Sequence, residues 1–170
     1  MKARNHTLSA TTLVLVAAFA IAAPAQAKEG TWKDTFSGYG TFKGTPVGKE
    51  RIVSVFEEWG LFVSNDNPML DHLTYHLWGL GDFTKGVGEA RFYLIATDPA
   101  GDQIVLSGST GKMQLGQSFK EGSETLLGGT GKFAGITGSC TYLFDGNTFK
   151  APETGTYFSH GTRDCSYKLP

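Results

Sequence analysis

The chain has 170 residues, with 15 Lys+Arg against 16 Asp+Glu and a formal net charge of −1. That length fits one domain with a core that needs neither a metal nor many disulfides. The charges are dispersed singly with no basic stripe, which argues against nucleic acid or anionic lipid as a partner.

At the N-terminus, Lys2 and Arg4 precede an apolar run, Leu13 to Ala23, that ends at Ala25-Gln26-Ala27. This is the pattern of a secretory signal peptide with an A-x-A cleavage site. The run is too short to span a bilayer comfortably, and nothing later approaches about 18 consecutive apolar residues, so no membrane anchor is expected. Residues 1–27 are read as a leader and 28–170 as a single domain, secreted or periplasmic. The exported part then carries 13 Lys+Arg against 16 Asp+Glu, a net charge of −3.

Glycine recurs about every ten residues, 23 in all, between β-branched and aromatic runs. This spacing predicts short strands joined by turns. The first two are Thr31–Phe42 and Arg51–Ser64. In the second, Val53, Val55, Trp59, Leu61 and Val63 share a face interrupted by Glu57, while Glu58 interrupts the Phe56/Phe62 face. One carboxylate must face the less polar side. The plain expectation is that twist or a bulge near Gly60 places it at a rim; the alternative is an interior carboxylate acting as acid or base.

The third strand, Leu70–Phe83, holds His72 and His76. On a strand they lie about 13 Å apart and do not share an ion, so no metal is expected. His76 with Thr74 and Trp78 makes a mixed aromatic and polar face compatible with a pocket wall. In Gly88–Thr97, the residues Ala90, Phe92, Leu94 and Ala96 share one face while Glu89, Arg91 and Tyr93 share the other. That alternation marks a half-buried strand. The turn Asp98-Pro99-Ala100-Gly101-Asp102 should join it to Gln103–Gly108 as a hairpin. Further strands are expected at Lys112–Phe119, Ser123–Gly128, Ile136–Phe144, Gly155–Ser159 and Cys165–Leu169. The only two cysteines, Cys140 and Cys165, should form a disulfide in an oxidising compartment, worth about 3 kcal/mol for a loop of that length.

No mature segment shows a sustained helical stripe, so the domain reads as all-β. Closing about eight antiparallel strands into a small barrel removes their edges; a two-sheet sandwich remains the competing architecture. No G-x-S-x-G elbow marks a nucleophilic serine. The three tryptophans and twelve phenylalanines are read first as core, a role that overlaps with cavity lining in a barrel.

The glycine-rich stretch GGTGKFAGITGS, Gly128 to Ser139, invites a phosphate-loop reading. However, Gly131-Lys132 is followed by Phe133 rather than Ser or Thr, and the same fault affects Gly111-Lys112. A dinucleotide site requires a helix after the glycines, and the sequence continues as turn and strand. No nucleotide or other cofactor is expected. The stretch reads instead as a turn with positive φ followed by a bent strand.

Gly128-Gly129-Thr130-Gly131-Lys132-Phe133 followed by Gly135-Ile136-Thr137-Gly138 resembles the late-strand signature of the allene oxide cyclase-like and dirigent-like barrels. With the leader, this resemblance implies an exported, bacterial-type member: an eight-stranded antiparallel barrel with an apolar interior, often a homo-trimer, that binds a small apolar or phenolic molecule. The cyclase family's early Glu/Asn region and the dirigent acidic pocket residues have no match here. The expected function is therefore interior binding of a small hydrophobic or aromatic molecule, with Trp59, His76 and Trp78 as candidate ligand contacts. One alternative is an isomerase or cyclase using Glu57 or Glu58 with Tyr75 or Tyr93; another is an interaction barrel with a packed interior.

Overall fold

The computed structural model describes residues 27–64, 66–114, 121–144 and 154–170. The expected leader, apart from Ala27, and positions 115–119 of the strand expected at Lys112–Phe119 lie outside the described residues. Eight strands run in chain order: β1 (Lys28–Val47), β2 (Arg51–Ser64), β3 (Leu73–Thr84), β4 (Val87–Thr97), β5 (Gln103–Gln114), β6 (Gly122–Gly129), β7 (Thr137–Phe144) and β8 (Thr154–Leu169). Each is antiparallel to its sequence neighbours, and β8 returns to pair with β1, so the sheet closes into a barrel. Closure decides for the barrel over the sandwich.

Two pairs of expected strands fuse. Gln103–Gly108 and the start of Lys112–Phe119 belong to β5, and Gly155–Ser159 runs on through Cys165–Leu169 as β8. The third strand begins later than expected, because Pro68–Leu70 forms a 3₁₀ turn capped by Asn67 and His72 adopts a left-handed φ of 56°. His72 therefore precedes β3 and bonds Asp71, rather than sharing a strand face with His76.

Inward side chains fill the core by strict alternation. β4 buries Ala90, Phe92, Leu94 and Ala96, the face read from its sequence. β1 buries Trp32, Asp34, Phe36 and Phe42, and the inward positions between them are Gly38 and Gly40. A Cβ on Gly38 would collide with the Tyr75 hydroxyl and the Glu58 carboxylate, and one on Gly40 with the Tyr157 ring. These glycines make room for polar side chains from three other strands.

The glycine-rich turn packs on the β4–β5 hairpin. Thr130 donates its N–H to the Gln103 carbonyl at 2.8 Å and accepts from the Gln103 N–H at 2.9 Å. The Lys132 N–H donates to Asp102 at 3.1 Å, and its ammonium lies 2.6 Å from the buried carboxylate of Asp98. Gly131 has φ 52°, and a side chain there would strike Asp102. The groups that a phosphate would need are thus held by two carboxylates of the chain itself. Beyond the turn, Cys140 lies opposite Cys165 in the β7–β8 ladder and the two form a disulfide.

Candidate functional site

The interior holds a polar cluster inside a ring of aromatics. On β2 the inward residues are the even-numbered ones, Ser54, Phe56, Glu58, Gly60, Phe62 and Ser64. Pairing to both neighbours runs without interruption through Gly60, so no bulge lifts a carboxylate to the rim. Glu58 is instead only 5% exposed. It accepts hydrogen bonds from the Tyr75 hydroxyl of β3 and the Ser159 hydroxyl of β8, and the Tyr157 phenol of β8 bonds it as well.

A second set of charges meets it from the other side. Arg163 of β8 is buried and forks onto Asp34 at 2.9 and 2.7 Å, reaches Glu124 of β6 at 3.0 Å, and lies 3.3 Å over the Phe62 ring. The Trp32 indole N–H completes Asp34 at 2.9 Å. Two buried carboxylates, Asp34 and Glu124, thus share one cation, while Glu58 is held by hydroxyls. Burial pushes the Glu124 carboxyl above its ordinary value; Arg163 opposes this, and the charges of Asp34 and Glu58 add to it. Burial alone would lower the Arg163 pKa, but Glu124 and Asp34 outweigh it and hold the guanidinium above its ordinary value. Burial first, then the charge of Glu58 and its hydrogen bond, push the phenols of Tyr75 and Tyr157 far above the usual tyrosine range. Both remain neutral donors at any physiological pH.

These groups border a cavity of about 60 Å³ whose other walls include Phe36, Phe42, Leu77, Phe83, Phe92 and Leu94. Ser54, also in the lining, has a buried hydroxyl without a hydrogen-bond partner among the described residues. Phe56 and Phe144 are partly exposed members of the lining. A void of about 150 Å³ is known to hold benzene, so this interior accepts an aromatic ring only if such side chains move.

Neither a protein-family model nor a curated protein sequence matches the chain. Two solved dirigent proteins resemble it in fold. One, the pterocarpan synthase dirigent protein GePTS1, shows a TM-score of 0.49 at 10% identity over 85% of this chain and 92% of that one. The other, the pterocarpan synthase dirigent protein PsPTS1, shows 0.45 at 11% identity over 83% and 94%.

The sequence candidates divide between the two surfaces of the barrel wall. Glu58 and Tyr75 come together inside. Glu57, Trp59, His76, Trp78 and Tyr93 stand on the outer face, where His76 Nε2 lies 2.7 Å from Glu57 and the imidazole stacks on Trp59 at 4.9 Å. They do not line the interior, because the period-2 pleat directs odd positions of β2 and β4 and even positions of β3 outward once the barrel closes. Asp34, Glu124, Ser159, Tyr157 and Arg163 were missed. In β8 the alternation Tyr157, Ser159, Gly161, Arg163, Cys165 was the available signal, obscured by the polar run His160 to Asp164.

Proposed function

We propose that the chain is an exported barrel that binds a small hydrophobic or aromatic molecule in its interior, with the ligand's polar end directed at the Glu58 cluster. The observation that carries this reading is the joining of apolar walls to a buried carboxylate held by Tyr75, Ser159 and Tyr157. Burying charge is expensive, and an apolar cavity with a few convergent polar groups is the expected form of a small-molecule site. The hydroxyl of Ser54, unpartnered among the described residues, offers a second polar contact. Export rests on the leader pattern of Lys2, Arg4, the apolar run and Ala25-Gln26-Ala27.

A second reading is proton transfer, an isomerisation or cyclisation in which Glu58 acts as the base and a neutral Tyr75 polarises the substrate. Tyr75 hydrogen-bonded to buried Glu58 favours it; the exposed Glu57 and Tyr93 do not serve this role. Titration with phenols and with short and long fatty acids, followed by tryptophan fluorescence and calorimetry, tests the binding reading. Saturable binding that is weakened about ten-fold or more in Glu58→Gln supports it, since a lost hydrogen bond to charge is worth about 1.5–3 kcal/mol. Absence of saturable binding by any of these ligands overturns it and leaves a packed barrel acting through its surface.

A further inference from the structure

The charges inside the barrel do not balance. Asp34, Glu58 and Glu124 are each 4–5% exposed, and Arg163 is the buried cation among the described residues. Its guanidinium is taken by Asp34 and Glu124. Glu58 is held by the hydroxyls of Tyr75, Ser159 and Tyr157, which carry no charge to offset its own. A proton on Glu124, whose carboxyl burial pushes upward, still leaves the interior on the acidic side.

Most donors around this cluster are committed. The Trp32 indole N–H goes to Asp34, the Tyr142 hydroxyl to the Ser109 carbonyl, and the Tyr75 and Ser159 hydroxyls to Glu58. Ser54, 1% exposed, lines the same cavity with a hydroxyl that has no partner among the described residues. It precedes Glu58 by four positions on β2, about 13 Å along the strand. A ligand between them therefore meets a carboxylate at one end and a hydroxyl at the other. The walls between are aromatic, with Phe36, Phe42, Phe56, Phe83 and Phe92 among the lining, and Arg163 already rests 3.3 Å over the Phe62 ring. Aromatic faces attract cations. No three His, Cys, Asp or Glu side chains among the described residues group closely enough to hold a metal ion, so the cation that suits this cavity is organic.

We propose that the interior selects a small protonated primary amine, with its ammonium at Glu58, its apolar body against the phenylalanines and its far end toward Ser54. This assignment rests on the interior-binding reading above and names the charge of the ligand. Folding has already stripped water from Glu58, so an incoming ammonium finds an acceptor without a counter-charge, while a carboxylate head meets repulsion in a medium of low dielectric. An alcohol of the same shape bonds Glu58 without offsetting its charge. Phe42, Phe56 and Phe92 line both the cavity and a wider concavity at the end of the barrel where β2 begins, and entry from that end keeps the cation against rings.

Calorimetric titration of the full chain at neutral pH with phenethylamine, 2-phenylethanol and 3-phenylpropionate tests the assignment, as does the slimmer set n-butylamine, n-butanol and pentanoate. The amine of a set is expected to bind about ten-fold more tightly than its alcohol and about a hundred-fold more tightly than its acid. Glu58→Gln should bring the amine-to-alcohol ratio to about one, whereas Glu57→Gln, outside the barrel and beside His76, should leave it unchanged. If Glu58→Gln does not fold, the wild-type ratios decide. An alcohol or acid that binds as tightly as its amine overturns the charge preference and leaves interior binding standing. Loss of the preference in Glu57→Gln places the amine on the surface and overturns the assignment. Absence of saturable binding by every member of both sets overturns the interior-binding reading and this assignment together.

Discussion

Arg163 grips both carboxylate oxygens of Asp34 although 129 positions separate them in the chain. The pair links the last strand to the first across the barrel seam, within the interior, and every charge in it is buried. Its desolvation is tolerated because each partner is matched: Asp34 by Trp32 and the guanidinium fork, and Arg163 by Asp34, Glu124 and the face of Phe62.

Arg163→Met therefore strands two carboxylates. Stability measured by urea unfolding should fall by about 3–5 kcal/mol. Arg163→Lys should restore only part of that loss, because an ammonium cannot span both oxygens of Asp34 while also reaching Glu124. A loss below about 1 kcal/mol in the methionine variant would show that the network relaxes or hydrates freely.

Glu124 gives the interior a pH signature of defined sign. Its folded pKa is raised above the ordinary 4.5 by burial, so the folded state holds the proton more tightly than the unfolded chain. The associated stability is complete below about that ordinary value and is lost as pH rises through the raised one. Wild type should lose stability relative to Glu124→Gln on going from acid toward neutral pH. Exposed carboxylates such as Asp82, whose pKa Arg51 lowers, act in the opposite direction but equally in both proteins. Urea unfolding at a series of pH values reads the difference, and a flat or rising difference refutes it.

The two phenols on Glu58 supply an alkaline counterpart. Tyr75 and Tyr157 stay protonated in the fold at pH values where an unfolded tyrosine, near 10, ionises. Their contribution is present below pH 10 and is lost above it. Tyrosinate absorbance should thus show no ionisation of these two before the barrel unfolds, and Tyr75→Phe should leave the pre-unfolding titration unchanged. The same variant should cost about 1.5–3 kcal/mol, a hydrogen bond to a charged acceptor.

The Cys140–Cys165 bond spans 25 positions. Replacing both cysteines with serine should lower stability by about 3 kcal/mol while leaving the β7–β8 ladder formed, since its pairing continues on either side from Thr137 to Phe144. Loss of the far-ultraviolet β signal at neutral pH in the double variant would contradict this.

Strand content was legible because a half-buried pleat writes itself as alternation; the buried Ala90-to-Ala96 series on β4 is the clearest instance. The hairpin turn and the cysteine pair were legible from local chemistry. The inner face of β2 was not, since Val53, Val55, Trp59 and Leu61 make its outer row look like core. What decides between the faces is closure, a property of all eight strands. The Arg163 network escaped for a related reason: its members come from β1, β6 and β8, and no window of the sequence contains two facing elements of it.

Because β1 pairs with β8 over Lys28 to Lys43, the seam of the barrel joins segments that are among the most distant along the chain. Seven of the eight ladders connect strands consecutive in the chain, while the eighth joins β8 to β1 and places Arg163 beside Asp34. Non-local closure of this kind is slow. The charged interior is therefore complete only when both ends of the described chain are in place, so that a cut in β8 would cost the barrel its closure and its buried cation together.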